Sequence, residues 1–290
     1  MPTLLSPSSL DPIAAPIRRP LPWVAFASSL WLLAASASAQ PLSISFDQAA
    51  TFGGAYVADE EVVRDDAGST GLLVEDLGPL PSNVDVRAVH GDEFFAFFAL
   101  DRTATLSGGL VVTPRDVVQW DGSGYAIAWD GDVEGLGRAS IDAITRSAVG
   151  DLMISVDRPI YRAGVLYADE DVIDVGTTSY SMAFDGSAYG VVEGLDLDGV
   201  HYEAEADAWY ATFDAPGMIA GVAFGDEDVL RFDATGVTVA YALPVAAGVD
   251  TDALHAVPEP GLIPCLTTGI AFLHASAQTR ARRRRNTRSY

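Results

Sequence analysis

The feature that most constrains this chain is a motif set that returns four times at a nearly fixed interval. An acidic triplet followed by β-branched residues appears as Asp59-Glu60-Glu61-Val62-Val63, Pro114-Arg115-Asp116-Val117-Val118, Asp169-Glu170-Asp171-Val172-Ile173 and Asp226-Glu227-Asp228-Val229-Leu230. Its third acidic position falls at 61, 116, 171 and 228, at intervals of 55, 55 and 57. An alternating segment ending in Asp precedes each copy and closes at Asp47, Asp101, Asp157 and Asp214. The position two before the Asp is small each time (Ser45, Ala99, Ser155, Thr212), and its neighbours are apolar, the pattern of a strand with one side in a core. Seven residues after each Asp stands a glycine (Gly54, Gly108, Gly164, Gly221), as a turn requires.

Two further strands complete each unit. A short strand containing Asp recurs around Asp85, Asp142, Asp198 and Asp252, and a looser outer strand covers Leu72–Val74, Tyr125–Trp129, Tyr180–Phe184 and Val237–Tyr241. Asp130-Gly131 and Asp185-Gly186 close two of the outer strands with turn chemistry. No stretch shows sustained helical periodicity. Four strands in about 56 residues, four times over, predict an all-β, four-bladed β-propeller. The last repeat ends just after Asp252-Ala253-Leu254, and Leu42–Phe46 supplies the strand type it lacks, so the two ends would complete one blade and close the ring, removing exposed edges. An open β-solenoid or a pair of sandwiches is the alternative, since strand number does not fix curvature.

Charge is spread unevenly. All 17 basic residues are Arg; two (Arg18, Arg19) lie near the start and six in the last eleven residues, leaving nine in the body against 38 acidic residues, a net charge near −29. Such a body repels nucleic acid and anionic lipid, and it can attract cations. The one cysteine, Cys265, lies outside the body, which excludes thiol catalysis and cysteine-ligated zinc there and leaves packing and ladder hydrogen bonds to hold the fold.

Residues 1–39 read as a signal peptide: Arg18-Arg19, an apolar stretch over 21–35, then the small-x-small pattern Ala37-Ser38-Ala39 with Gln40 as the first mature residue. Residues 257–290 form a tripartite tail: Val257-Pro258-Glu259-Pro260-Gly261, an apolar stretch over 262–277, and an Arg cluster from Arg280 to Arg288. An apolar span followed by a basic block is a stop-transfer arrangement. At about 16 residues the span is short for a permanent transmembrane helix, which takes about 20, so a transient anchor fits better. Signal helix and transmembrane helix would both stand outside the propeller of residues 40–256.

The tail resembles the PEP-CTERM sorting signal of Gram-negative bacteria, with Pro258, Glu259 and Pro260 matching its motif position by position. The resemblance implies recognition by an exosortase-type membrane transpeptidase, release of the tail, and residence on the outer surface or in an extracellular polysaccharide matrix. The repeats look like the propeller-like repeats of other proteins with this tail. The implied partners are signal peptidase, the exosortase-type enzyme, the membrane through the C-terminal segment before processing, and extracellular polysaccharide; nucleic acid is excluded by charge.

Chemistry in the body is sparse. No nucleophile elbow, phosphate loop, zincin helix or EF-hand loop is present; Gly122-Ser123-Gly124 and Gly135-Leu136-Gly137 are turn glycines. The repeat aspartates Asp85, Asp142, Asp198 and Asp252 would line a central channel if theirs is the innermost strand, an oxygen-rich set suited to calcium; the other reading is that each caps a turn. His201 and His255 each follow the repeat Asp by three residues and could bind a metal, but the corresponding positions in the other repeats are Ala88 and Thr145, so ordinary strand residues are the competing reading; His90 is the body's third histidine. The acidic triplets read as hairpin-turn residues. Tyr125, Trp129, Tyr202, Trp209 and Tyr210 would stack on sugars if exposed and otherwise fill the core. The reading is a non-catalytic exported surface protein with no resident cofactor; the alternative is a secreted propeller hydrolase, of glycosidase or lactonase type, with a channel-bound metal.

Overall fold

The computed structural model describes residues 41–65, 73–92, 94–176, 179–245 and 249–256. The signal peptide expected over 1–39 and the sorting tail expected over 257–290 fall outside these residues. Among the described residues no helix is long and apolar enough to cross a membrane.

Sixteen strands form four antiparallel four-stranded sheets arranged as the blades of a propeller. From the axis outward, blade 2 runs Val86–Gly91, Ala96–Leu100, Asp116–Trp120, Tyr125–Asp130; blade 3 runs Ile141–Arg146, Leu152–Val156, Val172–Asp174, Ser181–Phe184; blade 4 runs Leu197–Glu203, Ala208–Phe213, Asp228–Asp233, Gly236–Ala242. Blade 1 takes its innermost strand, Ala253–Ala256, from the end of the domain and the rest, Leu42–Ser45, Val63–Asp65 and Leu73–Val74, from its start. Leu42 pairs with Ala256 and Ser45 with Ala253. The ring is thus closed by both ends, as the repeat pattern predicts.

Blades pack face to face through four apolar layers. Phe98, Leu100 and Val118 of blade 2 meet Val62 and Ala253 of blade 1; Ile144, Ile154 and Ile173 of blade 3 meet Ala88, Ala99 and Val117 of blade 2. Phe213, Leu230 and Phe232 of blade 4 meet Met153, Val172 and Phe184 of blade 3, and Ile44 and Phe46 of blade 1 meet Tyr210 and Val229 of blade 4. Both faces of the inner strands are therefore covered, and Leu42–Ser45 is buried at every position. This corrects the one-sided reading of the alternation. The small residues face a neighbouring blade or a turn: Ser45 donates to the Val86 carbonyl (2.5 Å) and Thr212 to the Thr251 carbonyl (3.0 Å), each across a blade boundary, while Ser155 donates to the Asp171 carbonyl (2.9 Å).

The two repeated acidic landmarks are backbone clamps. The strand-ending aspartates accept from the backbone N–H that opens the inner strand: Asp47 from Asp250 (3.0 Å), Asp101 from Asp85 (2.8 Å), Asp157 from Ser140 (2.8 Å), Asp214 from Asp196 (2.9 Å). The third triplet position accepts from the N–H three residues earlier, at Glu61, Asp116, Asp171 and Asp228 (2.8–3.0 Å), as turn residues do.

Each repeat also carries a small hairpin not expected from the sequence, between its second and third strands: Ala50–Phe52 with Ala55–Val57, Ala104–Thr105 with Val111–Val112, Ile160–Arg162 with Val165–Tyr167, and Gly217–Ile219 with Val222–Phe224. The recurrent glycines sit between their arms with φ of 82°, 82°, 88° and 88°. Two of the expected outer-strand turns are instead single helical turns. Asp130 caps Gly131–Glu134 by accepting from Val133 N–H (3.0 Å), and Asp185 accepts from Ala188 N–H (3.0 Å) beside Ser187–Tyr189.

Candidate functional site

The innermost strands face one another around the axis, and their register decides which side chains meet there. Val86 pairs with Leu100 and Ala88 with Ala99, so Arg87 is an unopposed bulge residue. Asp142 and Asp198 are unopposed in the same way, between Ile141 and Ala143 and between Leu197 and Gly199. The position equivalent to Asp142, Asp198 and Asp252 in blade 2 is therefore Arg87, not Asp85, which corrects the repeat alignment by two residues. The same shift aligns His90 (opposite Phe97) with Thr145 (opposite Met153), His201 (opposite Tyr210) and His255 (opposite Ser43). Three of four blades thus present an imidazole at one level, where the sequence alone offered two. His90, Thr145 and His201 all pair with the residue four before the strand-ending aspartate, but along the chain they stand 11, 12 and 13 residues before it, so spacing alone does not reveal their shared level.

At one end of the axis lies an acidic collar: Asp142, Asp198 and Asp252 from the bulge positions, with Asp85, Asp196 and Asp250 just before them. Arg87 forms an ion pair with Asp142 (Nη1 to Oδ1, 2.9 Å). Asp142 is 1% exposed, and its Oδ2 has no hydrogen-bond partner among the described residues. Burial pushes the Asp142 carboxyl up to about 7 even though Arg87 pulls it down, and pushes Asp196 up to about 8 with help from the Asp142 charge. Asp85 shares a hydrogen bond with Asp252, and Asp250 with Asp198; burial first and the neighbouring carboxylates second raise all four. Such carboxyl–carboxylate pairs hold a shared proton, because two like charges in contact cannot both ionise. Capping of turns belongs to the third triplet residues Glu61, Asp116, Asp171 and Asp228; the bulge aspartates instead project their oxygens, the class of donor that suits a hard cation.

At the other end stand the histidines. The rings of His90 and His201 lie nearly parallel (16°, centroids 6.3 Å apart), and His255 meets both edge-on at 4.5 and 5.0 Å. Burial is near-complete, with 9%, 4% and 5% exposed for His90, His201 and His255. Desolvation drives His255 down to about 4 and, with added repulsion from His255, drives His90 and His201 well below the ordinary value. All three are neutral at pH 7.

The imidazoles floor a cavity of about 790 Å³ at the mouth of the axis. Its wall takes Arg64 and Glu75 from blade 1, Asp92 from blade 2, Arg146 from blade 3, and Tyr202 and Glu203 from blade 4. Arg146 bridges blades by its ion pair with Asp92 (3.1 Å) and lies over the Phe97 ring at 5.0 Å. Of the five aromatics considered from sequence, Tyr202 lines the cavity, Trp209 and Tyr210 are buried, Trp129 packs partly buried against the layer between blades 2 and 3, and Tyr125 packs edgewise on Phe98 while donating to the Leu77 carbonyl (2.9 Å).

No family model matches this chain, and no curated protein matches it by sequence. Among solved structures it is similar to the extracellular domain of BT4673 from B. thetaiotaomicron, at 8% identity and a TM-score of 0.31, over 68% of this chain and 27% of that one. It is similar also to YCF48 bound to D1 peptide, at 9% identity and a TM-score of 0.29, over 69% of this chain and 65% of that one. The chain thus spans about a quarter of the first of these and less than two thirds of the second. The propeller assignment rests on this chain's own strand order and register.

Proposed function

We propose that this chain is an exported β-propeller that serves at the cell surface or in the extracellular matrix as a binding component, not a catalyst. Signal peptidase would cut after Ala39, and an exosortase-type transpeptidase would act at Pro258-Glu259-Pro260. The observation that carries the binding role is the axial cavity, to which all four blades contribute and whose wall mixes guanidinium, carboxylate and one half-buried aromatic, Tyr202. Fixed polar groups around a concave floor are what a hydroxyl-rich ligand such as a polysaccharide segment needs. The body's charge near −29 favours neutral over polyanionic glycans.

Two measurements test this. Full-length chain expressed in an exosortase-bearing host should fractionate to the surface or matrix with a mature C-terminus near residues 257–260; an intact Arg282–Arg285 cluster in the mature protein would overturn the sorting claim. Retention on neutral exopolysaccharide should fall about tenfold in Arg146→Ala and Tyr202→Ala, the loss of about 1.4 kcal/mol of contact energy; unchanged retention would overturn the cavity's role. A secreted hydrolase using a channel ion is the second reading, favoured by the convergence of metal-competent side chains beside the cavity, and turnover on a glycoside and lactone panel would establish it.

A further inference from the structure

We propose that His90, His201 and His255 form a binding site for one divalent transition-metal ion of the zinc class, with an open coordination position turned into the axial cavity. The donors come from three separate blades, at the same level of three equivalent strands, and meet on the axis. Their ligand atoms lie within 4.8 Å of one another. A zinc–nitrogen bond of about 2.0–2.1 Å puts tetrahedral donors roughly 3.4 Å apart, so each imidazole needs to move less than about 1 Å to close on an ion.

The second line of support is the state of the rings. The Nδ1 atoms of all three are buried and have no hydrogen-bond partner among the described residues. Buried polar groups are ordinarily satisfied, and three adjoining imidazoles that each carry an unsatisfied ring nitrogen leave donor capacity that a single cation would take up. The donor set decides the class of ion. Three imidazoles without a carboxylate suit zinc, copper, nickel or cobalt, not calcium or magnesium. The acidic collar at the opposite end offers only oxygen donors, which suit a hard cation instead, and Arg87 already pairs with Asp142 there.

The fourth blade leaves the coordination open. Thr145 stands where a fourth imidazole would, and its hydroxyl already accepts the Tyr202 N–H at 3.0 Å. Three protein donors facing a cavity are the composition of a site that exchanges its fourth ligand, in contrast to a closed structural site. A hydroxyl, carboxylate or water of a cavity ligand would occupy that place. The site is independent of the export and glycan-retention reading, whose test variants touch none of the three histidines.

The full-length protein, stripped with chelator, should be titrated with Co²⁺ alone and then with Zn²⁺ in competition. The expected result is one ion per chain with the intense visible absorption of low-coordinate cobalt. His201→Gln and His255→Gln should each weaken binding about 100-fold or more, the scale of losing a ligand rather than an outer-shell partner. Asp198→Asn, at the far end of the axis, should leave affinity within about twofold. Thr145→His adds a fourth donor and should tighten Zn²⁺ binding about tenfold, which keeps the test decisive if a glutamine variant fails to fold. No bound ion at stoichiometric cobalt, or an affinity that both glutamine variants leave intact, would overturn the proposal; glycan retention would then still stand or fall on its own assay.

Discussion

At the scale of single residues, the same amino acid serves two opposite purposes in this ring. The strand-ending aspartates are charged acceptors for backbone N–H groups, whereas those of the collar are carboxyls deprived of water. The difference has a pH signature. A buried carboxyl whose folded value is raised holds its proton where the unfolded chain has lost it, so its contribution to stability is complete below about pH 3.9 and drains away as pH rises to the folded value. For Asp142 that window ends at about 7 and for Asp196 at about 8. The buried histidines act in the other sense: neutral when folded, they withdraw stability as pH falls below about 6.5. Above that pH they are neutral in both states and only the carboxyl slope remains. The melting temperature should therefore fall between pH 6.5 and 9. Asp196→Asn keeps an oxygen for the Leu197 N–H (3.0 Å) but cannot ionise. Its stabilising effect should be larger at pH 9 than at pH 5 by more than about 1.4 kcal/mol, the worth of one pKa unit, because the wild-type carboxyl goes on losing stability up to about 8; calorimetric scans at both pH values check this. The clamping aspartates were legible as a period, because the same bond is made in all four repeats. The charge state of the collar was not, because it depends on burial that only closure of the ring creates.

At the scale of elements, a single-residue bulge decides what the channel contains. Its extra residue turns Arg87, Asp142 and Asp198 toward the axis and shifts the phase of everything after it. Asp85 matches Asp142 by eye, since both lie in a short β-branched strand, yet pairing places Arg87 there. That is why His90 did not join His201 and His255 in the sequence pattern. The added hairpins were hidden for a simpler reason: arms of two or three residues carry too little alternation to read, and the middle of an arm exposes a large side chain such as Tyr56, Tyr161 or Met218. Their glycines were nonetheless visible. Other glycines work by contact. A Cβ on Gly131 would stand 2.2 Å from the Arg115 carbonyl, and one on Gly186 would stand 2.4 Å from the Glu170 carbonyl, the same place in two blades. Gly186→Ala should cost about 1–3 kcal/mol by forcing the triplet turn away from the outer strand. Gly221→Ala, with φ of 88° but open space around it, should cost about 1 kcal/mol from backbone strain alone. Urea midpoints of the two variants should keep that order.

At the scale of the whole molecule, the ring has no edge at its seam only because Ala253–Ala256 lies against Leu42–Ser45. The four-blade count and this closure were readable from the repeat interval and from the strand missing at one end. The layered packing between blades was not, since alternation alone does not say that both faces are covered. A chain ending at Asp250 loses the innermost strand of blade 1, together with buried Ala253, Leu254 and Ala256. It should show no cooperative thermal transition and should aggregate through its open edge, while a chain ending at Ala256 melts as one unit; circular dichroism and gel filtration distinguish the two.

That seam also sets an order in time. The clamp between Asp47 and Asp250 joins residues 203 apart, and the strand beside it is the last of the ring to be synthesised. While the ribosome is at work, the first strand to emerge has no partner on its axial side, and the blades that follow form only an arc. Contacts so distant along the chain form slowly. The chain therefore stays threadable for as long as it is being made and becomes a closed body only once its final strand is free to reach the first.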